Sequence, residues 1–204
     1  MKTLPKFLLC MALAFSGNAQ ANLIVNGSFE NPVIAAGTFV PYANGSTAIT
    51  GWTVASGYYT DIISNGFWTT TTPYGSQYLY LNDSGRADAA IWQDVALASG
   101  ANYSLSFALN GLGNSGSSVS VSLTGAASSG FATRTASSIS NWTQFSYNFT
   151  PAASGSYRLT FSSPAGGYVM LDNVQINSAV PEPETLALLF AGFMAIGFKR
   201  KIVT

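Results

Sequence analysis

The chain contains no histidine and one cysteine, and only 8 % of its 204 residues are charged. Without histidine there is no serine–histidine triad, no cysteine–histidine pair and no histidine-ligated zinc. The lone Cys10 lies in the first apolar stretch, so it forms no disulfide with a partner in the same chain. All four lysines, Lys2, Lys6, Lys199 and Lys201, stand near the ends. Between Asn22 and Val180 the bases are Arg86, Arg134 and Arg158, against the acids Glu30, Asp61, Asp83, Asp88, Asp94 and Asp172, a net charge of −3. That balance offers no basic patch for phosphates and argues against nucleic acid as a partner. Serine, threonine, asparagine, glycine and tyrosine must cover the surface instead.

The first 21 residues have the layout of an export signal. Lys2 and Lys6 precede the apolar run FLLCMALAF (7–15), and Ala19-Gln20-Ala21 offers the small residues that signal peptidase reads. Cleavage after Ala21 leaves Asn22 as the first mature residue and removes the only thiol. Residues 22–178 are then one domain of a size that builds a hydrophobic core without disulfides.

Within that domain the apolar residues recur at every second position. Tyr103, Leu105, Phe107 and Leu109 alternate with small residues, as do Val119, Val121 and Leu123. The same holds for Phe145, Tyr147 and Phe149, and for Tyr157, Leu159 and Phe161. Alternate strand side chains point to opposite faces, so each segment has one face for a core and one for water. Further strands are expected at LIVNG (23–27), ITGWTV (49–54), QYLYL (77–81), AIWQDVAL (90–97) and YVMLDNVQI (168–176). Turn residues at 82–85, 98–100, 111–118 and 153–156 separate them. The pattern is that of an all-β protein, a single β-sandwich of the jelly-roll kind.

The motifs NLIVNGSFENP (22–32), GW (51–52), IWQDVALASGANYSLSF (91–107) and LDNVQI (171–176) resemble the galactose-binding-like jelly rolls of extracellular bacterial proteins, carbohydrate-binding modules among them. The resemblance implies a structural calcium ion shared by an acid after the first strand and an acid in the last. Glu30 and Asp172 match those places, with the carbonyls of residues 26–28 as further oxygen ligands. The alternative is a solvated Glu30 and an Asp172 that binds backbone amides at a bulge. Asp83, Arg86 and Asp88 read as a hairpin turn with a solvated ion pair rather than a second metal loop.

The closing stretch VPEPETLALLFAGFMAIGFKRK (180–201) resembles the PEP-CTERM sorting signal of Gram-negative bacteria that make exopolysaccharide. Pro181, Glu182 and Pro183 form the triplet, Leu186 to Phe198 the short membrane helix, and Lys199, Arg200 and Lys201 the basic end. The resemblance implies processing by an exosortase near the triplet. The basic end favours the cytoplasmic side and leaves the domain outside. An apolar run of 13 residues spans roughly 20 Å as a helix, against a hydrocarbon core of about 30 Å. So short an anchor suits a transient stay in the inner membrane. Cell surface, outer envelope and extracellular matrix are the destinations that fit.

Eight aromatic residues fall between Gly51 and Tyr80, and two of them, Trp68 and Tyr74, lie in the turn-rich GFWTTTTPYGS (66–76). Aromatic rings stack on the apolar faces of sugars, so Trp68 and Tyr74 are candidate ligand contacts, while Trp52, Tyr78 and Tyr80 read as packing. The expected function is a non-catalytic, exported protein that associates with exopolysaccharide. An adhesive surface protein without a specific sugar is the second reading. A glycan-cleaving enzyme is a minor third, because it needs two acids across a cleft and the spacing pairs none.

Overall fold

Serine alternating with valine, leucine or phenylalanine builds strands that are apolar on one side, and the described residues form twelve strands in all. The computed structural model describes residues 22–56, 59–81, 89–112, 118–125, 129–130, 134–135, 141–163 and 169–178. The strands are β1 (Phe39–Ala43), β2 (Thr53–Ser56), β3 (Tyr59–Ser64), β4 (Gln77–Leu81), β5 (Ala89–Leu97) and β6 (Tyr103–Asn110). They continue with β7 (Ser118–Thr124), β8 (Ser129–Gly130), β9 (Arg134–Thr135), β10 (Thr143–Phe149), β11 (Gly155–Ser163) and β12 (Val169–Ser178). No helix occurs among the described residues. The expected signal segment with Cys10, the turn holding Asp83, Arg86 and Asp88, and the sorting segment with Pro181, Glu182, Pro183, Lys199, Arg200 and Lys201 lie outside them.

One sheet runs β1-β3-β4-β12-β6-β10 and the other β2-β5-β11-β7-β8, with β9 also on β7. Neighbouring strands are antiparallel throughout. The inner faces meet in one core that joins Ile62, Leu79, Phe107 and Leu171 of the first sheet to Ile91, Val121, Leu159 and Phe161 of the second. This is the face-to-face sandwich that alternation demands.

The expected strand at 23–27 does not form. Asn22 makes only an isolated bridge to Asn177, and the chain then turns through Asn26 and Phe29 at positive φ. Side chains replace the missing ladder. The buried Gln93 accepts from Val25 N at 2.8 Å and donates to Val25 O at 2.9 Å, the pair of bonds a neighbouring strand would make. Gln77 does the same further along, accepting from Ile34 N and donating to the carbonyls of Phe29 and Pro32. At 49–52 the chain forms a turn, so that strand begins only at Thr53. Gly27 presses against β12 so closely that a Cβ there would lie 1.9 Å from Val174 O. The first segment is therefore stapled to the sandwich by two glutamines and one glycine.

Candidate functional site

The outer face of the first sheet divides into an aromatic half and an amide half. Register places Ile63 opposite Tyr78 and Tyr80 opposite Met170 on that face, and these four form a second buried cluster. Phe67, Trp68, Leu112 and Trp142 pack on it. Trp68 meets Tyr80 edge-on at 5.1 Å between ring centroids and leans on Phe67 at 5.5 Å. It is half-buried, so the loop position expected from sequence is found, but its ring is engaged in packing. Trp52, Tyr78 and Tyr80 are buried as expected. The Tyr78 hydroxyl is fully enclosed with no hydrogen-bond partner among the described residues, and burial pushes it up to about 12. An unpaired buried hydroxyl costs about 1–3 kcal/mol. Tyr78→Phe should therefore raise stability by about 1 kcal/mol, read as a higher urea midpoint with an unchanged slope.

Tyr74 lies where the two halves meet. Its ring is edge-on to Trp142 at 6.3 Å, and its hydroxyl donates to Gln144 Oε1 at 3.1 Å. Trp142 also covers Tyr78 at 5.6 Å and donates from Nε1 to Thr71 O at 2.8 Å. From Gln144 a relay of amides runs along the sheet. Asn173 Nδ2 donates to Gln144 Oε1 at 3.5 Å, Gln175 Nε2 to Asn173 Oδ1 at 2.6 Å, and Asn177 Nδ2 to Gln175 Oε1 at 3.2 Å. The bulge between Asp172 and Gln175, with Asn173 at φ 53°, turns the alternate side chains of Asn173, Gln175 and Asn177 toward this row. Beside it Ser106 lies opposite Gln175 and Ser146, and Ser104 bonds Ser146 at 3.2 Å. Each amide carries two donors and two acceptor lone pairs, so donors remain along the relay, and lone pairs on Asn173 Oδ1 and Gln175 Oε1, while Gln144 Oε1 is filled by Tyr74 and Asn173. No charged side chain stands in the row from Gln144 to Asn177. Its chemistry is that of neutral hydroxyl recognition.

The two acids matched by motif hold the loop that carries Tyr74. Glu30 Oε1 accepts from Ser76 N at 2.7 Å and Gln77 N at 2.9 Å. Gly75 makes this possible, since a Cβ there would sit 2.1 Å from Glu30 Oε1. Asp172 is fully buried, takes the Thr72 hydroxyl on Oδ2 in a short bond, and accepts from Asn173 N at 2.6 Å on Oδ1. Burial drives its carboxyl up to about 7. The Thr72 and Asn173 bonds oppose this, and the Glu30 charge adds to it. The acids thus stand within each other's field, and oxygen ligands at a pair of carboxylates suit calcium. Of the carbonyls expected from sequence as ligands, that of Asn26 has both lone pairs taken, and that of Gly27 has one. Asn26 O already accepts from Phe29 N and Trp52 Nε1, and Gly27 O from Val174 N. Among the described residues no three acids, cysteines or histidines cluster, so a cation there would take its other ligands from neutral oxygens.

Tyr74 stands out in the sequence as a candidate contact, whereas Trp142, Gln144 and the amides of β12 beside it do not. The alternation of β10 marked which of its residues face outward, but the bulge reverses the parity of β12, and nothing local told which outward residues the 65–76 loop would border.

A family model described as "Protein of unknown function (DUF642)" matches residues 22–177, and one described as "PEP-CTERM protein-sorting motif" matches residues 179–201. No curated protein matches the chain in sequence. In fold it is similar to the carbohydrate-binding module TmCBM61 solved with β-1,4-galactotriose, at 14 % identity and TM-score 0.55, over 77 % of this chain and 98 % of that one. It is also similar to the CBM22-1–GH10 modules of a Clostridium thermocellum endo-1,4-β-D-xylanase complexed with xylohexaose, at 17 % identity and TM-score 0.50, over 65 % and 27 % of the two chains. The enzymatically active domain of bacteriophage CBA120 tailspike protein 4 follows the same fold at 14 % identity and TM-score 0.52, over 77 % of this chain and 21 % of that one. At such identities the likeness is one of fold.

Proposed function

The chain belongs to the DUF642 family, and from that premise we propose that it is an exported, non-catalytic protein that holds neutral exopolysaccharide on the outer face of its first sheet. The sorting motif marks an exported protein that passes through a membrane-anchored intermediate and is processed by an exosortase. Its final address in this reading is the outer envelope or the extracellular matrix.

The observation that carries the ligand reading is the continuous bond path from Tyr74 through Gln144, Asn173 and Gln175 to Asn177. Tyr74 and Trp142 give the apolar ring surface, and the amides give paired donors and acceptors without charge. Trp68 extends the aromatic wall from within its packing. Two solved neighbours of the same fold hold uncharged oligosaccharides, galactotriose and xylohexaose. Among the described residues Glu30 and Asp172 tie down the loop, and Asp94 is bonded to Arg158. One structural calcium at Glu30 and Asp172 is part of the proposal. It would supply the positive charge that the two carboxylates lack and so fix the Tyr74 loop.

Tyr74→Ala and Trp142→Ala are each expected to lower retention on the host's exopolysaccharide at least tenfold at a temperature where both variants remain folded. A co-sedimentation assay on the mature protein measures this. Retention equal to wild type in both variants would remove the assigned face.

A further inference from the structure

Among the described residues the outer face of the second sheet carries one aromatic residue, Trp92, where a solvated face needs none. Register aligns Thr53, Trp92, Thr160 and Ser122 in a row across β2, β5, β11 and β7. The next row holds Asp94, Arg158 and Thr124. Trp92 is thus ringed by hydroxyl side chains, and it stands two positions before Asp94 on the same face. The Arg158 guanidinium lies 3.5 Å above the Trp92 ring centre. It donates from Nε to Asp94 Oδ1 at 2.9 Å and from Nη2 to Asp94 Oδ2 at 3.0 Å. Both partners remain nearly half exposed, at 46 % and 43 %.

An exposed ion pair contributes little to stability, so its geometry is the informative part. The stacked ring and the two parallel bonds hold a flexible side chain in one orientation. A guanidinium has five N–H donors, of which two are used here, and the carboxylate keeps lone pairs free. The result is a fixed donor set beside a fixed acceptor set, neutral overall and bordered by Thr53, Thr160 and Thr124. Adjacent sugar hydroxyls accept from one and donate to the other. An anionic ligand would meet Asp94 as well as Arg158, so the arrangement suits an uncharged one.

We propose that Arg158 and Asp94, positioned by Trp92, form a second glycan site that binds a vicinal diol of a neutral polysaccharide. The ligand class rests on the polysaccharide reading of the first sheet, but the site is separate. Because the two outer faces point away from each other, one domain with both sites bridges two chains, and its role becomes cross-linking. Linked sites raise avidity without new contacts at either.

The test uses the mature protein with soluble β-1,4-galactan, β-1,4-xylan and the host's exopolysaccharide, reading bound fraction and light scattering together. Wild type should bind at least one of the three and raise scattering. Arg158→Lys, which keeps the charge but loses the fork, and Asp94→Asn should each still bind while scattering falls at least tenfold. Trp142→Ala should lose scattering from the other side and keep only the weaker binding of the second site, and Trp142→Ala with Arg158→Lys should not bind. Wild-type scattering in both Arg158→Lys and Asp94→Asn would overturn the second site and leave the first intact. Binding lost in Arg158→Lys but untouched in Trp142→Ala would support the second site and overturn the first. A wild type that binds none of the three overturns both.

Discussion

Trp52→Ala is expected to cost about 3–5 kcal/mol of stability, the range for removing a large buried aromatic. Trp52 is 2 % exposed and sits between Phe29, at 5.4 Å, and Phe161, at 6.2 Å. Phe29 belongs to the stapled first segment and Phe161 to β11, so one ring joins that segment to the second sheet. Its Nε1 also donates to Asn26 O at 3.1 Å. Alanine therefore leaves a cavity and removes a bond from the turn that precedes Glu30. Trp52→Phe should recover most of the packing and still lose about 1 kcal/mol for the missing N–H. Urea denaturation of the three proteins measures both steps. A loss below about 1 kcal/mol for Trp52→Ala would mean that the site collapses freely, which contradicts the packing described.

The second large effect belongs to Asp172. Its folded carboxyl titrates near 7, raised chiefly by burial, while an exposed aspartate titrates near 3.8. A group raised in the folded state favours folding when protonated. Its contribution is full below about pH 4 and is lost as the pH rises through about 7. The calcium-free protein should therefore be less stable at pH 8 than at pH 5, by up to about 2.7 kcal/mol from this group. Asp172→Asn removes that dependence and should melt higher than wild type at pH 8 in chelator. Comparing the two proteins cancels the other carboxylates, including Asp94, which its hydrogen bond to Arg158 holds low. Added calcium should raise the wild-type melting temperature at pH 8 and leave Asp172→Asn unmoved. Equal melting of both proteins at pH 5 and pH 8 would contradict the buried-charge assignment, and indifference of wild type to calcium would remove the cation.

The strands that sequence made legible are those whose serines alternate with large apolar residues. β6, β7, β10 and β11 emerge within two residues of expectation because water on one side and core on the other leave a period of two. β1 and β3 were not legible. Phe39–Ala43 contains Pro41, which an edge strand tolerates, and β3 has Ile62 and Ile63 buried on opposite faces, which hides the period. The 23–27 segment misled for the opposite reason. Its apolar pattern is that of a strand, but its hydrogen bonds come from the Gln93 side chain and from scattered backbone groups of β12, far away in sequence. The candidate site divides the same way. Tyr74 stood out locally as an aromatic among turn residues, and Glu30 and Asp172 through their motifs. Trp142 and the amide row depend on how the β3–β4 loop lies against β10 and β12, which only long-range packing decides.

The central claim is that an uncharged face binds an uncharged polysaccharide. It is tested most directly by retention of the mature protein on its host's exopolysaccharide as NaCl rises from about 0.05 M to about 0.5 M. Over that range contacts between exposed charges are screened away, while amide, hydroxyl and ring contacts persist. Retention that stays constant across the series is the predicted result. No retention at low salt, or release as the salt rises, would contradict it.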